Sequence, residues 1–265
     1  MKASDIEARL AAGREILREA GRTALGFFAR HRELAVERKG RQDFVSRADR
    51  EVEALIRTRL AERFPGDAVI GEEQGGQLAE RVWVTDPIDG TANFLRGIPY
   101  WSTTLAFVEK GRPLIGLTYD PVHDELFVAL AGGGAQLDGR HIRVSGACGP
   151  EEACVGLSFT FRTPVRDYLA ALEGLLAAGF DHRRLGSAAL SLAHVADGRL
   201  DAVFTLRTHS WDVLSGLLLV REAGGRTTAF GTDLLESRSV AAAAPGIAGE
   251  IARLTGIPLA GRGSA

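Results

Sequence analysis

Between Asp67 and Gly146 the chain runs through seven short apolar or alternating segments: DAVIGEE, RVWVTD, STTLAFVEKG, PLIGLTYDP, ELFVALAGGG, GAQLDG and HIRVSG. Gly, Asp and Pro punctuate them, and none is long enough to make a core helix, so strands are the reading. Asp138-Gly139, between AQL and HIRV, has the chemistry of a two-residue hairpin turn. Strands that follow one another without intervening helices form a mainly antiparallel sheet, which needs a helical layer on a face. Two helical patterns precede it. Ile6, Leu10, Leu17, Ala20, Ala24 and Phe27 recur at helical spacing to about Arg30, behind a capping-box pattern of Ser4 and Glu7. Val52, Leu55, Ile56 and Leu60 mark a second helix from Asp49 to Phe64, stopped by Pro65-Gly66. The polar, basic residues 32–45 read as an exposed connection.

Beyond Gly149-Pro150 the pattern becomes alternating. VGLSFT is a strand, residues 164–179 a helix, GSAALSLAHVADG a helix closed by Gly198, LDAVFTL a strand and SWDVLSGLLLVREAGG a helix. The change places a soft boundary near 145–150, giving an N-terminal α+β lobe over residues 1–147 and a C-terminal α/β lobe over 148–265. No low-complexity linker separates them. The 32 basic and 34 acidic residues nearly cancel, and no basic stretch suggests a nucleic-acid or membrane footprint. The N-terminus is amphipathic and charged, unlike a signal peptide, and no apolar run spans a bilayer. Cys148 and Cys154 form no disulfide framework and have no zinc-ligand spacing, which suits reduced thiols in a cytoplasm. The six histidines likewise show no ligand spacing. Trp83, Phe94, Tyr100 and Trp101 read as core, while His209 reads equally as pocket lining or as structure.

The carboxylates are less ordinary. In WVTDPIDGTANF, residues 83–94, Asp86 ends a strand and Asp89 follows three residues later. Pro87 between them fixes φ, Gly90 admits a ligand close to the backbone, and Thr91 starts a helix whose free N–H groups favour an anion. A hard divalent cation held by two carboxylates beside phosphate-binding amides is a coherent site. Taken alone, each acidic group has a plain alternative. Asp-Gly is a common turn, Glu72-Glu73 can be a solvated loop, Ser46-x-x-Asp49 reads as ordinary capping at a helix start, and Asp212 reads as the N-cap of an apolar helix.

Taken together, DFVSRADREVE, IGEE, WVTDPIDGTANF, GSAAL and SWDVLSGLLLVREAGG resemble the inositol monophosphatase family, in order and over nearly the whole chain. The resemblance implies an α/β, more strictly α+β, layered α-β-α-β-α sugar-phosphatase fold, a homodimer, two or three Mg²⁺ ions, sensitivity to lithium and a small-molecule phosphate monoester as substrate. It implies that Glu72, Asp86, the carbonyl of Ile88, Asp89 and Asp212 hold the metal, with Glu72 also counted among the catalytic residues. Gly90 and Thr91 then supply phosphate-binding amides, and Asp49 pairs with the Thr91 hydroxyl to orient and deprotonate the attacking water. Lys39 falls in a segment resembling the family's mobile loop. Oxygen ligands are what magnesium prefers, and metal-activated water needs no Ser, Cys or His nucleophile.

For the substrate, Asp89, Gly186, Ser187 and Ala188 match the family's cleft. Thr205 falls where inositol phosphatases carry a glutamate that contacts substrate hydroxyls, which weakens the case for inositol; nearby Arg207 offers a charge for a second anionic group. Inositol-1-phosphate leads, with histidinol phosphate and fructose-1,6-bisphosphate as alternatives. DPIDGT also resembles the haloacid-dehalogenase signature, but there the aspartates stand two apart and on the first strand. Some relatives act as partners of transcription complexes; a pure scaffold has no need of four metal carboxylates plus Asp49 and Thr91.

Overall fold

The structure, a computed structural model, describes residues 2–34, 36–40 and 43–261, with the side chains of 36, 38–40 and 43–45 outside the description. Helix α1 (Ala3–Phe28) buries Ile16, Leu17, Ala20 and Ala24 along one stripe, as the periodicity requires. It starts two residues earlier than expected, with Lys2 as an N-cap that makes no side-chain bond. Ser4 is therefore already inside the first turn, and the Ser4/Glu7 capping box does not form. Residues 32–45 also differ from expectation. The described residues there include two antiparallel paired strands, β1 (Val36–Gly40) and β2 (Asp43–Ser46), their polar composition having hidden them. Lys39 lies on β1, and its side chain is outside the described residues. Helix α2 (Arg47–Arg63) opens with the expected box: Ser46 Oγ accepts from Ala48 N–H at 3.2 Å, while the Ser46 N–H donates to Asp49 Oδ2 at 2.8 Å.

The seven apolar segments become one sheet. Strand β3 (Ala68–Gly71) lies parallel to β4 (Arg81–Asp89), and a short helix α3 (Thr91–Phe94) follows. The antiparallel run continues through β5 (Ser102–Glu109), β6 (Arg112–Asp120), β7 (Glu125–Leu130), β8 (Gly134–Leu137) and β9 (Arg140–His141), in sequence order across the sheet. Asp138 and Gly139, at φ 47° and 82°, make the hairpin turn. Strand period sorts the side chains. Trp83, Phe107 and Leu117 face α1 and α2, whereas Val82, Val84, Ala106 and Val108 face the other way.

That second face is covered by the C-terminal half. After β10 (Cys154–Ser158) come α4 (Val165–Ala177), β11 (Asp181–Arg183), α5 (Ala188–Ala196), β12 (Ala202–Thr208), α6 (Ser210–Glu222), β13 (Arg226–Thr227), β14 (Arg238–Ala243) and α7 (Ala248–Thr255). A five-stranded sheet runs β11-β10-β12-β14-β13, with β10 parallel to both of its neighbours. Helices α5 and α6 fill the space between the sheets: Leu190, Leu192, Val213, Leu217 and Leu218 meet Val82, Val84, Ala106 and Val108 on one side and Val203, Val240 and Ala242 on the other. Leu175 of α4 and Ile251 of α7 cover the outer face with Phe204, Ala241 and Ala243. The expected α-β-α-β-α layering is the one found, with helices on both faces of the first sheet.

Two glycines set the spacing of the middle layer. A Cβ at Gly116 of β6 would stand 2.7 Å from the Ser215 carbonyl of α6, and one at Gly216 would overlap Leu192 of α5. Among the described residues, no helix is long and apolar enough to cross a membrane.

Candidate active site

Strand β4 carries the site at its end. Its partnership with β5 slips between Asp86, opposite Thr104, and Asp89, opposite Ser102, so Pro87 and Ile88 bulge. The bulge folds back on Asp86, whose Oδ1 accepts from Ile88 N–H at 2.8 Å. Gly90 then takes φ 101°, and a Cβ there would press on Gly186 O, Tyr100 O and Ser187 Cβ at 3.2–3.3 Å. Only glycine suits that left-handed, crowded position. Helix α3 starts immediately after it.

Asp89 points at α5. Its Oδ2 accepts from the Ser187 hydroxyl and from Ala189 N–H (2.8 Å), and its Oδ1 accepts from Ala188 N–H (3.2 Å). The carboxylate thus occupies the helix N-terminus, where orphan amides and the dipole favour negative charge. Ser187 and Ala188, named from the sequence, are therefore assembled against Asp89, while Gly186 packs against Asn93 and Gly90. Asn93 holds the two loops together, its Nδ2 donating to Tyr100 O at 2.8 Å and to Leu185 O at 2.7 Å.

Asp212 comes from the first turn of α6. Its Oδ2 accepts from Thr208 Oγ1 (2.7 Å) and from His209 N–H (3.0 Å), so it caps the helix from the third position, with His209 and not Asp212 as the N-cap. Capping is not its whole role. One oxygen each of Glu72, Asp86 and Asp212 lies within 4.8 Å of the others, a group able to hold a metal ion. Asp89 stands outside that trio but within electrostatic reach of it. Among the described residues, no ion pair reaches Asp86, Asp89 or Asp212, and Asp86 Oδ2 and Asp212 Oδ1 accept no hydrogen bond.

The electrostatic result is strain of one sign. Burial, then repulsion from Glu72, Asp89 and Asp212, raises the Asp86 carboxyl well above the usual range. Burial and Asp212 push Asp89 up to about 7, against the lowering effect of its Ser187, Ala189 and Ala188 bonds. A divalent cation is the counter-charge such a cluster lacks, and an all-oxygen donor set suits a hard ion.

Asp49 reaches the same place from α2. Thr91 Oγ1 stands 3.3 Å from Asp49 Oδ1 and 3.0 Å from the Ile88 carbonyl, so the three groups meet through one hydroxyl. Thr205 is buried, but its hydroxyl goes to Arg207 O of its own strand at 3.3 Å. Arg207 turns to Ser237 (3.0 Å). His209 stacks on Trp211 at 4.5 Å, with Arg162 3.3 Å from its Nε2. Trp83, Phe94 and Trp101 are core residues, fully buried, as read.

Sequence reasoning passed over three supports. Thr104 Oγ1 accepts from Asp86 N–H (3.1 Å) and donates to Trp211 O (3.0 Å), tying β4 to the start of α6. Asn93 is the second. The third is Glu53 of α2, whose carboxylate accepts from Glu73 and Gln74 N–H beside Glu72. A glutamate amid Val52 and Ile56 on the apolar face of a helix was the available signal for it.

The layered α-β-α-β-α body, with Glu72 of the β3–β4 turn, Asp86 of β4 and Asp212 of α6 drawn together, is an α/β protein with an acidic cluster able to hold a metal ion. The chain belongs to the inositol monophosphatase family, whose model matches residues 5–256. It is 37% identical over 251 residues to the inositol-1-monophosphatase of Mesorhizobium japonicum, covering 89% of each chain. It is 41% identical over 216 residues to the Nus factor SuhB of Xylella fastidiosa, covering 80% of this chain and 78% of that one. The crystal structure of the extragenic suppressor protein suhB from Bartonella henselae superimposes with a TM-score of 0.89 at 32% identity, over 94% of this chain and 98% of that one.

Proposed function

We propose that the protein is a Mg²⁺-dependent phosphomonoesterase acting on a small polyol or sugar monophosphate, with inositol-1-phosphate as the leading substrate and histidinol phosphate and fructose-1,6-bisphosphate behind it. The observation that carries this reading is the mutual approach of Glu72, Asp86 and Asp212 within 4.8 Å, beside the Asp49–Thr91 contact. The named residues fit the ion: Glu72, Asp86, Asp89, Asp212 and the Ile88 carbonyl are hard oxygen donors. When bound, Mg²⁺ lowers the pKa of a coordinated water and neutralises phosphoryl charge.

The chain's own groups do the rest. Gly90 and Thr91 present amides to the phosphate at the start of α3. Thr91, oriented by the Ile88 carbonyl, aligns Asp49 as the acceptor of a proton from the attacking water. Asp89, with Gly186, Ser187 and Ala188, forms the wall of the substrate cleft, and the α5 amides favour its ionised form against burial and Asp212. Thr205, buried with its hydroxyl given to the Arg207 carbonyl, brings no charged acceptor to that cleft. A homodimer, a cytoplasmic location and lithium sensitivity belong to the same reading.

A regulatory, non-catalytic role is the second reading, because several relatives are named as Nus factors. The buried cluster of like charge argues against it: a scaffold gains nothing from carboxylates that repel one another. Phosphate release should be assayed from inositol, fructose, histidinol and nucleotide phosphates, with and without a chelator. Turnover of one monoester that stops with chelator and in Asp89→Asn supports the proposal. No turnover on any of them, or turnover indifferent to chelator, overturns it.

A further inference from the structure

Helix α2 presents Asp49, Glu53 and Arg57 at four-residue spacing, one above the other on a single face. Asp49 belongs to the site already described. Glu53 is 0% exposed, a carboxylate that needs full compensation to lie so deep. It has that compensation. Oε1 accepts from Arg57 Nε at 2.8 Å and from Gln74 N–H at 3.1 Å, and Oε2 accepts from Glu73 N–H at 2.7 Å.

Arg57 then reaches both limbs of the same turn, donating to Val69 O at 3.3 Å and to Gly75 O at 2.5 Å. The turn closes on itself through paired bonds between Gly71 and Gly75 at 2.9 and 3.0 Å. Gly71 has to be glycine, since a Cβ there would overlap the Glu53 carboxylate. Glu72 is the residue on this turn that enters the acidic trio, and it lies between Gly71 and the two amides that Glu53 grips.

We propose that Glu53, braced by Arg57, is a positioning residue that holds the Glu72 turn in place for cation binding. Because Asp49 and Glu53 sit one turn apart on a rigid helix, the same element also fixes Glu72 relative to the Asp49–Thr91 pair. The inference rests on the ligand role proposed for Glu72. Glu53→Gln keeps the shape but sets an NH₂ against an N–H donor of the turn and removes the charge facing Arg57. Outer partners of this kind change metal affinity by roughly 10- to 100-fold.

The test is calorimetric titration of the metal-free protein with Mn²⁺, together with the rise in melting temperature that the ion produces. Wild type, Glu53→Gln, Glu72→Gln and the double variant are compared. Expected are weaker binding by roughly 10- to 100-fold in Glu53→Gln and a double variant no weaker than Glu72→Gln alone. Arg57→Met, which keeps an apolar stem, should weaken binding in the same direction and serves if Glu53→Gln does not fold. Wild-type affinity in Glu53→Gln or Arg57→Met, with Glu72→Gln impaired, overturns the positioning role alone. An equal loss with and without Glu72 overturns it too, since a merely structural pair would act in both backgrounds. Undiminished binding in Glu72→Gln removes the ligand reading and this inference with it.

Discussion

Replacing Thr104 with valine should separate packing from hydrogen bonding at the joint between β4 and α6. Thr104 is 1% exposed, and valine has its shape. The hydroxyl takes one bond from Asp86 N–H at 3.1 Å and gives one to Trp211 O at 3.0 Å. A methyl in its place leaves a buried donor and a buried acceptor facing carbon. An orphaned buried group costs about 1–3 kcal/mol, so the pair should lose about 2–6 kcal/mol. With an unfolding entropy near 2.1 cal/mol/K per residue over the 265 residues, that is a fall of about 4–11 °C in Tm. Differential scanning calorimetry with and without Mg²⁺ is the assay. Thr104→Ser, which keeps the hydroxyl, should recover most of the loss. The Mg²⁺-induced rise in Tm should also shrink in Thr104→Val, because this side chain ties Asp86 to Trp211, the neighbour of Asp212. A valine variant melting within about 1 °C of wild type, or a serine variant falling as far as valine, would refute the reasoning.

Gly216→Ala should destabilise by about 1–3 kcal/mol in urea titration, because its new Cβ meets Leu192 between two packed helices. Gly26→Ala, on α1 with nothing within 4 Å of the new atom, should gain up to about 1 kcal/mol. The His194 imidazole is pushed down to about 4 by burial and then by Arg199, whose Nη1 lies 3.2 Å from Nε2. Between pH 6.5 and 4 the unfolded chain therefore takes a proton that the fold refuses, and stability falls with acid by at most about 3 kcal/mol. His194→Gln should lose less stability than wild type over that interval, and parallel stability curves for the two would contradict it.

Where a side chain's chemistry is local, the sequence was readable. The capping box at Ser46/Asp49 and the turn at Asp138-Gly139 depend on neighbours only, and both are present. The meander was legible for the same reason: each strand pairs with the next. Strands β11, β13 and β14 and helix α7 were not foreseen, because their partners lie far along the chain and β11 carries the polar run DHR. The strand pair β1–β2 was hidden by its charge. At the site, DPIDGT announced Asp86 and Asp89, yet only the fold reveals that Asp89 is gripped by α5 whereas the close trio is Glu72, Asp86 and Asp212. Glu53, Asn93 and Thr104 were silent because each acts on backbone atoms distant in sequence.

The middle helical layer has a consequence for how the molecule is made. The first sheet is complete by His141, but the residues that cover its inner face arrive only with 188–222. Until then a nascent chain displays an open apolar surface of Val82, Val84, Ala106 and Val108, the kind of surface that invites chaperones or aggregation. Glu72 and Asp86 wait equally long for Asp212. The acidic trio comes together only when α6 has packed onto the first sheet, so its assembly marks the joining of the two halves of the chain.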